Sequence, residues 1–189
     1  MLIKGTETFY PKTKGQWRKW LEKNHASRTA VWLIMYNKKA KKPTISWSDA
    51  VDEALCFGWI DSLKKKLDDE RSVQFFSKRK PKSTWSKINK EKVKRLIEEG
   101  LMSAAGHESI EVAKRNGTWD LLNDVDKLII PDDLEAAFKR HPGAKDKYLA
   151  LSNSAKKLVL SSLLFAKREE TRQKTITAIL GQLGYISAL

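Results

Sequence analysis

The residues of this chain best suited to chemistry lie between positions 59 and 89, in "WIDSLKKK" and "KRKPKSTWSKIN". From Trp59 the pattern has a period of two, placing Trp59, Asp61, Leu63, Lys65 and Leu67 on one side of a strand. A polar loop, "DDERS" at 68–72, and a returning strand, "VQFFSKR", complete a hairpin. In that register Leu67 faces Val73, Leu63 faces Ser77 and Asp61 faces Arg79, and a register one residue shorter sets Asp61 against Lys78. Either way a carboxylate meets a cation. Such a pair could hold a polar ligand by bidentate hydrogen bonds, with Trp59 or Trp85 as a wall and Ser83, Ser86 and Asn89 as further polar contacts. Alternatively Asp61 and Arg79 tie the hairpin to the next helix, which Ser83, Ser86 or Asn89 caps. No catalytic residue is assigned: no histidine is near in sequence, and Cys56 sits on an apolar helix end, the place of an inert core thiol.

Residues 64–95 carry thirteen Lys or Arg against four Asp or Glu, interleaved with Phe75, Phe76 and Trp85. Lys64, Lys65, Lys66, Lys78, Lys80 and Lys82 could therefore follow a phosphate backbone while aromatic rings stack on bases. No phosphate-cradling glycine loop, RNA-binding signature or helix-turn-helix accompanies them. The whole chain has 189 residues and a formal net charge of +14, which favours an anionic small molecule, an acidic partner or weakly bound nucleic acid. With 41% apolar and 32% charged residues it reads as a folded protein with a densely charged surface. One cysteine excludes an intrachain disulfide, and the three histidines are too far apart for zinc spacing. Neither a metal nor a cofactor is expected. The longest apolar-rich run, "LVLSSLLFA", falls well short of a membrane span, so the expectation is a cytoplasmic protein without membrane insertion.

These residues must be positioned by a small number of elements. Trp17, Trp20 and Leu21 form an apolar helix stripe that stops near Asn24, and "TAVWLIMY" reads as a strand buried on both faces. Ser46 and Asp49 open a helix with Trp47, Ala50, Val51, Ala54 and Leu55 on one face, ended by Gly58. Helices bearing Val93, Leu96 and Ile97, then Ile110 and Ala113, follow and stop at Gly100 and Gly117. Pro131 begins a helical stretch in which Leu158, Val159, Leu163 and Leu164, then Ile176, Ile179, Leu180 and Leu183, form apolar faces. The fold class is α+β: a small antiparallel sheet of one strand and a hairpin packed with helices over 1–123, then a helical portion over 131–189.

The ordered series "ALCFGWID", "FFSKRKPKSTWSKIN", "GLMSAAG" and "GTW", with the ending "LSNSAKKLVLSSLLFAKREETRQKTITAIL", resembles the YdeI/OmpD-associated family, also called bacteriocin-protection proteins. Ser62 departs from the glycine common there, and Ser77-Lys78-Arg79 from an expected proline beside the arginine. The resemblance implies a small antiparallel sheet with helices and a helical tail, and a role in tolerance of peptide toxins without a defined reaction. The resulting expectation is a protein that binds an anionic ligand or partner in a stress or antimicrobial-tolerance role. The alternatives are a small-molecule enzyme with a pocket around Asp61 and Arg79, and a weak non-specific nucleic-acid binder. Direct capture of cationic peptides is disfavoured, because a chain at +14 repels them at long range.

Overall fold

The computed structural model describes residues 2–185; Met1 and the last four residues of the helical portion expected to reach 189 lie outside them. The chain forms two compact units, Met1–Asp120 and Leu121–Leu189. The first contains strands β1 (Leu2–Ile3) and β2 (Thr6–Phe9), helix α1 (Lys14–Asn24), strand β3 (Ala30–Tyr36), helix α2 (Trp47–Cys56), strands β4 (Trp59–Lys66) and β5 (Arg71–Lys78), and helices α3 (Lys87–Glu98) and α4 (Ala104–Arg115). The second contains α5 (Asn123–Asp126), α6 (Asp132–Arg140), α7 (Ala144–Leu149), α8 (Asn153–Phe165) and α9 (Glu169–Gln182).

The sheet has the order β1-β2-β3-β5-β4. The strand and hairpin read from the sequence are its antiparallel part, β3-β5-β4. The first two strands make the sheet mixed, because β2 runs parallel to β3. They are joined through Lys4 and Gly5, both at positive φ, the backbone of a two-residue hairpin turn. Strands this short carry no readable period.

One sheet face supplies Val31, Leu33, Met35 and Phe76 to a core completed by Trp17 and Leu21 of α1, Ala50, Val51, Ala54 and Leu55 of α2, and Val93, Leu96, Ile110 and Ala113 of α3 and α4. Burying these side chains contributes about 1.5–3 kcal/mol for each of the larger ones. The indole of Trp17 donates to the Ala50 carbonyl at 3.0 Å, so its polar atom is satisfied inside the core. Helix α2 is buried nearly throughout, including two acids that no apolar stripe predicts, Asp52 and Glu53. Each is matched by two cations: Asp52 by Lys92 and Arg95 at 2.5 Å, Glu53 by Arg18 at 2.8 Å and Lys14 at 3.5 Å.

Helix α4 is held against the end of α2. The Ser103 amide and hydroxyl both donate to the Cys56 carbonyl, at 3.0 and 2.7 Å. A Cβ on Gly106 would lie 2.3 Å from that carbonyl oxygen, and one on Gly58, at φ +70°, 2.9 Å from the Ala105 carbonyl. Glycine is required at both places.

The second unit has its own core, built around Leu134, Phe138, Tyr148, Leu160, Leu163, Ile176, Ile179 and Leu180. Arg172 braces it, pairing with Asp133 and donating to the Leu163 carbonyl at 2.8 Å. In α8 the apolar face is rotated from the expected one: Leu160 and Leu163 are buried while Leu158 is 74% exposed. "LVLSSLLF" is apolar on nearly every side, so its phase is set by packing.

Gly106→Ala is expected to destabilise by roughly 1–3 kcal/mol or more, the cost of overpacking against a backbone that cannot yield. Gly15→Ala, in α1 with nothing within 4 Å of the added carbon, is expected to be neutral or to raise stability by up to about 1 kcal/mol. Thermal melts of the two variants check the pair. Equal melting temperatures would contradict the tight α2–α4 approach.

Candidate functional site

The hairpin register differs from both registers read from the sequence. Asp61 lies opposite Phe76 and Trp59 opposite Lys78, and after a bulge between Asp61 and Lys64 the pairs become Lys64 with Gln74 and Lys66 with Ser72. The bulge inverts the alternation that would have buried Leu63, which is 59% exposed. Lys65 instead reaches the far face of the sheet and covers the Trp32 ring at 5.2 Å. Asp61 does not pair with Arg79. Its carboxylate accepts from the Trp47 indole at 2.8 Å and the Gln74 amide at 3.1 Å, which also accounts for Trp47 leaving the apolar face of α2 to stand 51% exposed.

Arg79 extends the hairpin by one bond, its amide donating to the Gly58 carbonyl at 2.9 Å. The chain then turns sharply: the Ser83 amide donates to the Lys80 carbonyl, and the Lys80 amide to the Ser83 hydroxyl. This turn returns Thr84 and Trp85 to Arg79. The guanidinium lies 3.6 Å from the Trp85 ring centroid, and Nη1 donates to the Thr84 carbonyl at 3.1 Å. Nε is buried with no acceptor. Among the described residues no carboxylate pairs with Arg79; burial pushes its pKa down to about 10, against the weaker opposing pull of Asp61.

Arg79 lines a cleft of about 290 Å³. Phe57 and Gly58 form one side, Lys78 to Pro81 and Trp85 a second, and one face of α4, from Ala105 and Ser109 to Val112 and Ala113, the third. The lip is pinned by Asn116, whose side chain donates to the Pro81 carbonyl at 2.7 Å, so the "RKPK" and "NGTW" segments meet there. Lys78 and Lys80 are exposed at the rim. The one acid in the lining, Glu108, is paired with Arg115 at 2.7 Å. The cleft is therefore apolar along α4 and cationic at one end.

The remaining sequence candidates hold the frame around this cleft. Trp59 is fully buried, with its indole 3.4 Å from the His25 carbonyl. Ser83 closes the turn, and Ser86 caps α3 by accepting from the Asn89 amide. Trp85 is 1% exposed and presents its face to Arg79, so it supports the cation and offers no free stacking wall. The six lysines divide into two groups: Lys78, Lys80 and Lys82 lie at the cleft end of the hairpin, Lys64, Lys65 and Lys66 at its turn end, roughly 20 Å away at about 3.4 Å per residue. The α4 wall escaped the sequence reading. Its trace is the set of small residues Ala105, Gly106, Ser109 and Ala113, beside Ile110, which packs into the core.

Cys56 is fully buried. Burial, assisted by neighbouring Glu53, pushes its thiol up to about 11, against the opposing effects of Arg18 and Lys14.

Residues 9–109 match the family described as a domain of unknown function (DUF8412). Residues 127–184 match the family described as bacteriocin-protection, YdeI or OmpD-associated. No curated protein and no solved structure matches the chain.

Native Cys56 is expected to react slowly with iodoacetamide at neutral pH and rapidly once the chain is denatured. Its thiol holds its proton more tightly in the native than in the unfolded chain, so the unfolded chain ionises first. The thiol's contribution to stability is thus complete below pH 9 and falls as pH rises to about 11. Alkylation of the native thiol faster than of the unfolded one would refute the inert assignment.

Proposed function

The chain belongs, through residues 9–109, to a family of domains of unknown function and carries a bacteriocin-protection segment at 127–184, and from the geometry of its cleft we propose that it binds an anionic ligand at Arg79. The observation that carries this reading is the state of Arg79 itself. A half-buried guanidinium, stacked on Trp85, has one buried N–H without an acceptor and no paired acid. An unmet buried donor costs about 1–3 kcal/mol, and more when charged, so an anion that satisfies it gains an interaction already oriented and desolvated. Lys78 and Lys80 add positive potential at the entrance. The reading is of a binding protein acting in the cytoplasm, where a lone free thiol suits reducing conditions. A part in tolerance of peptide toxins would then be indirect, through the anion bound, since a chain at +14 repels basic peptides.

The test compares the wild type with Arg79→Gln in thermal melts under titration with inorganic phosphate, sulfate, succinate and benzoate. At least one anion is expected to raise the wild-type melting temperature at a concentration where the variant does not respond, a ligand at 100 times its Kd adding about 2.7 kcal/mol. Identical responses would refute the role of Arg79.

A second reading, weak polyanion binding, is favoured by a cluster at the turn end of the sheet. The Asn37 amide donates to the Glu70 carbonyl at 2.8 Å and its side chain to the Asp69 carbonyl at 2.6 Å, which ties the loop bearing Lys38, Lys39, Lys41 and Lys42 to the hairpin turn beside Lys64 and Lys66. Retention of duplex DNA at this surface is expected to fall steeply with salt, each phosphate contact adding about 0.9 to the log–log slope. Binding indifferent to ionic strength, or unaffected by Lys64→Gln with Lys66→Gln, would remove this reading.

A further inference from the structure

We propose that the ligand of the cleft is a monocarboxylate with a compact apolar body, its carboxylate held side-on by the Nε edge of Arg79 and its body laid along the Ala105–Val112 face of α4. The inference rests on the anion reading above and narrows it to one chemical class.

Three features point to a carboxylate. A guanidinium offers parallel N–H pairs along its edges, and a carboxylate is the planar acceptor that fits one such edge with both oxygens. In Arg79 the Thr84 carbonyl engages Nη1, and Nε, on the edge it shares with Nη2, is buried without an acceptor. The Nε–Nη2 edge therefore remains for a planar group. Four backbone donors beside Arg79 that a tetrahedral phosphate could gather are also already used. The Gly58 amide donates to the Leu55 carbonyl, that of Arg79 to Gly58, that of Lys80 to the Ser83 hydroxyl and that of Ser83 to Lys80. Helix α4 presents its flank to the cleft, from Ala105 to Ala113, and the Ser103 hydroxyl caps its first turn through the Gly106 amide.

The apolar body follows from the rest of the lining. Phe57, Ala105, Val112, Ala113 and Pro81 face the cleft, the Ser109 hydroxyl is directed to the Gly106 carbonyl at 2.8 Å, and Glu108 of the same wall is paired with Arg115, which leaves little there to hold a polar tail. About 290 Å³ is at the small end of ligand pockets, roughly 300–1,000 Å³, which argues for a compact body. Acetate has the charge without the body, and an uncharged amide the body without the charge. Neither should suffice.

The experiment measures binding to the full chain by calorimetry, using phenylacetate, acetate, phenylacetamide, inorganic phosphate and phenyl phosphate as probes. Phenylacetate is expected to bind at least about tenfold more tightly than acetate or phenylacetamide, and about tenfold or more weaker in Arg79→Lys, where a point charge replaces the fork. Val112→Phe, which fills the apolar part and leaves Arg79 untouched, is expected to lose phenylacetate while keeping the wild-type fold by circular dichroism. Arg79-dependent binding of inorganic phosphate or phenyl phosphate with no response to phenylacetate would overturn the carboxylate assignment and leave the anion cleft standing. Absence of any Arg79-dependent response to the four anions would remove both.

Discussion

The close approach of α4 to the end of α2 is the constraint on which the rest of the first unit depends. Two backbone segments can come this near only if neither carries a side chain at the contact, and Gly58 and Gly106 meet that condition from opposite sides. The Cys56 carbonyl, left free at the end of α2, is satisfied from across the interface by both donors of Ser103. The contact thus removes an orphan acceptor from the core, carries Ile110 and Ala113 into the apolar cluster, and buries Cys56 beyond the reach of water. Because α4 is fixed at its start, its following turns run past the end of β5 at a distance that leaves a cleft. The site is a consequence of backbone packing before any functional side chain enters.

Charge is distributed in this unit with an asymmetry that the composition conceals. The buried acids of α2 each hold two cations, binding α2 to α1 through Glu53 and to α3 through Asp52. Removing one partner of such a pair commonly costs 3–5 kcal/mol, so these contacts also fix the relative placement of the three helices. Asp61, the acid nearest in kind to a partner for Arg79, is held by neutral donors and acts on the arginine only at longer range. The half-buried guanidinium has a ring face and one carbonyl as its protein partners. A cation–π contact contributes about 2 kcal/mol when desolvated, less than the several kcal/mol that burying an ion costs. Well-packed neighbours keep Arg79 in that condition, which is the physical basis of the anion-binding proposal.

Much of this arrangement is legible in the sequence where its cause is local. Ser46 and Ser86 cap their helices through hydroxyl contacts three residues on, and Gly58, Gly100 and Gly117 end helices at positive φ, because capping and chirality act within a few residues. The α+β class and the helical second unit follow from periodicity for the same reason. The hairpin register does not, since a bulge changes the phase without changing composition, and Leu63 reads as buried until the strand is paired. Arg79 and Trp85 stand out as residue types, but the contact between them is created by the turn at Lys80–Ser83, and the α4 wall is made of small residues whose significance lies in what approaches them. Asp52 and Glu53 stand as consecutive acids between the apolar residues Ala50, Val51, Ala54 and Leu55. Their partners are far away in sequence.

The cleft and the bacteriocin-protection segment occupy different parts of the chain. Every residue lining the cleft lies between Phe57 and Ala113, inside the first unit, whereas the second unit closes its own core around Leu134, Phe138 and Leu163 and is braced by Arg172 on Asp133. A cleft whose frame is complete within one hydrophobic core owes its geometry to that core. On the anion-binding proposal the cation in the cleft owes its setting to the first unit, and the match of residues 127–184 to the bacteriocin-protection family does not alter what the guanidinium can hold.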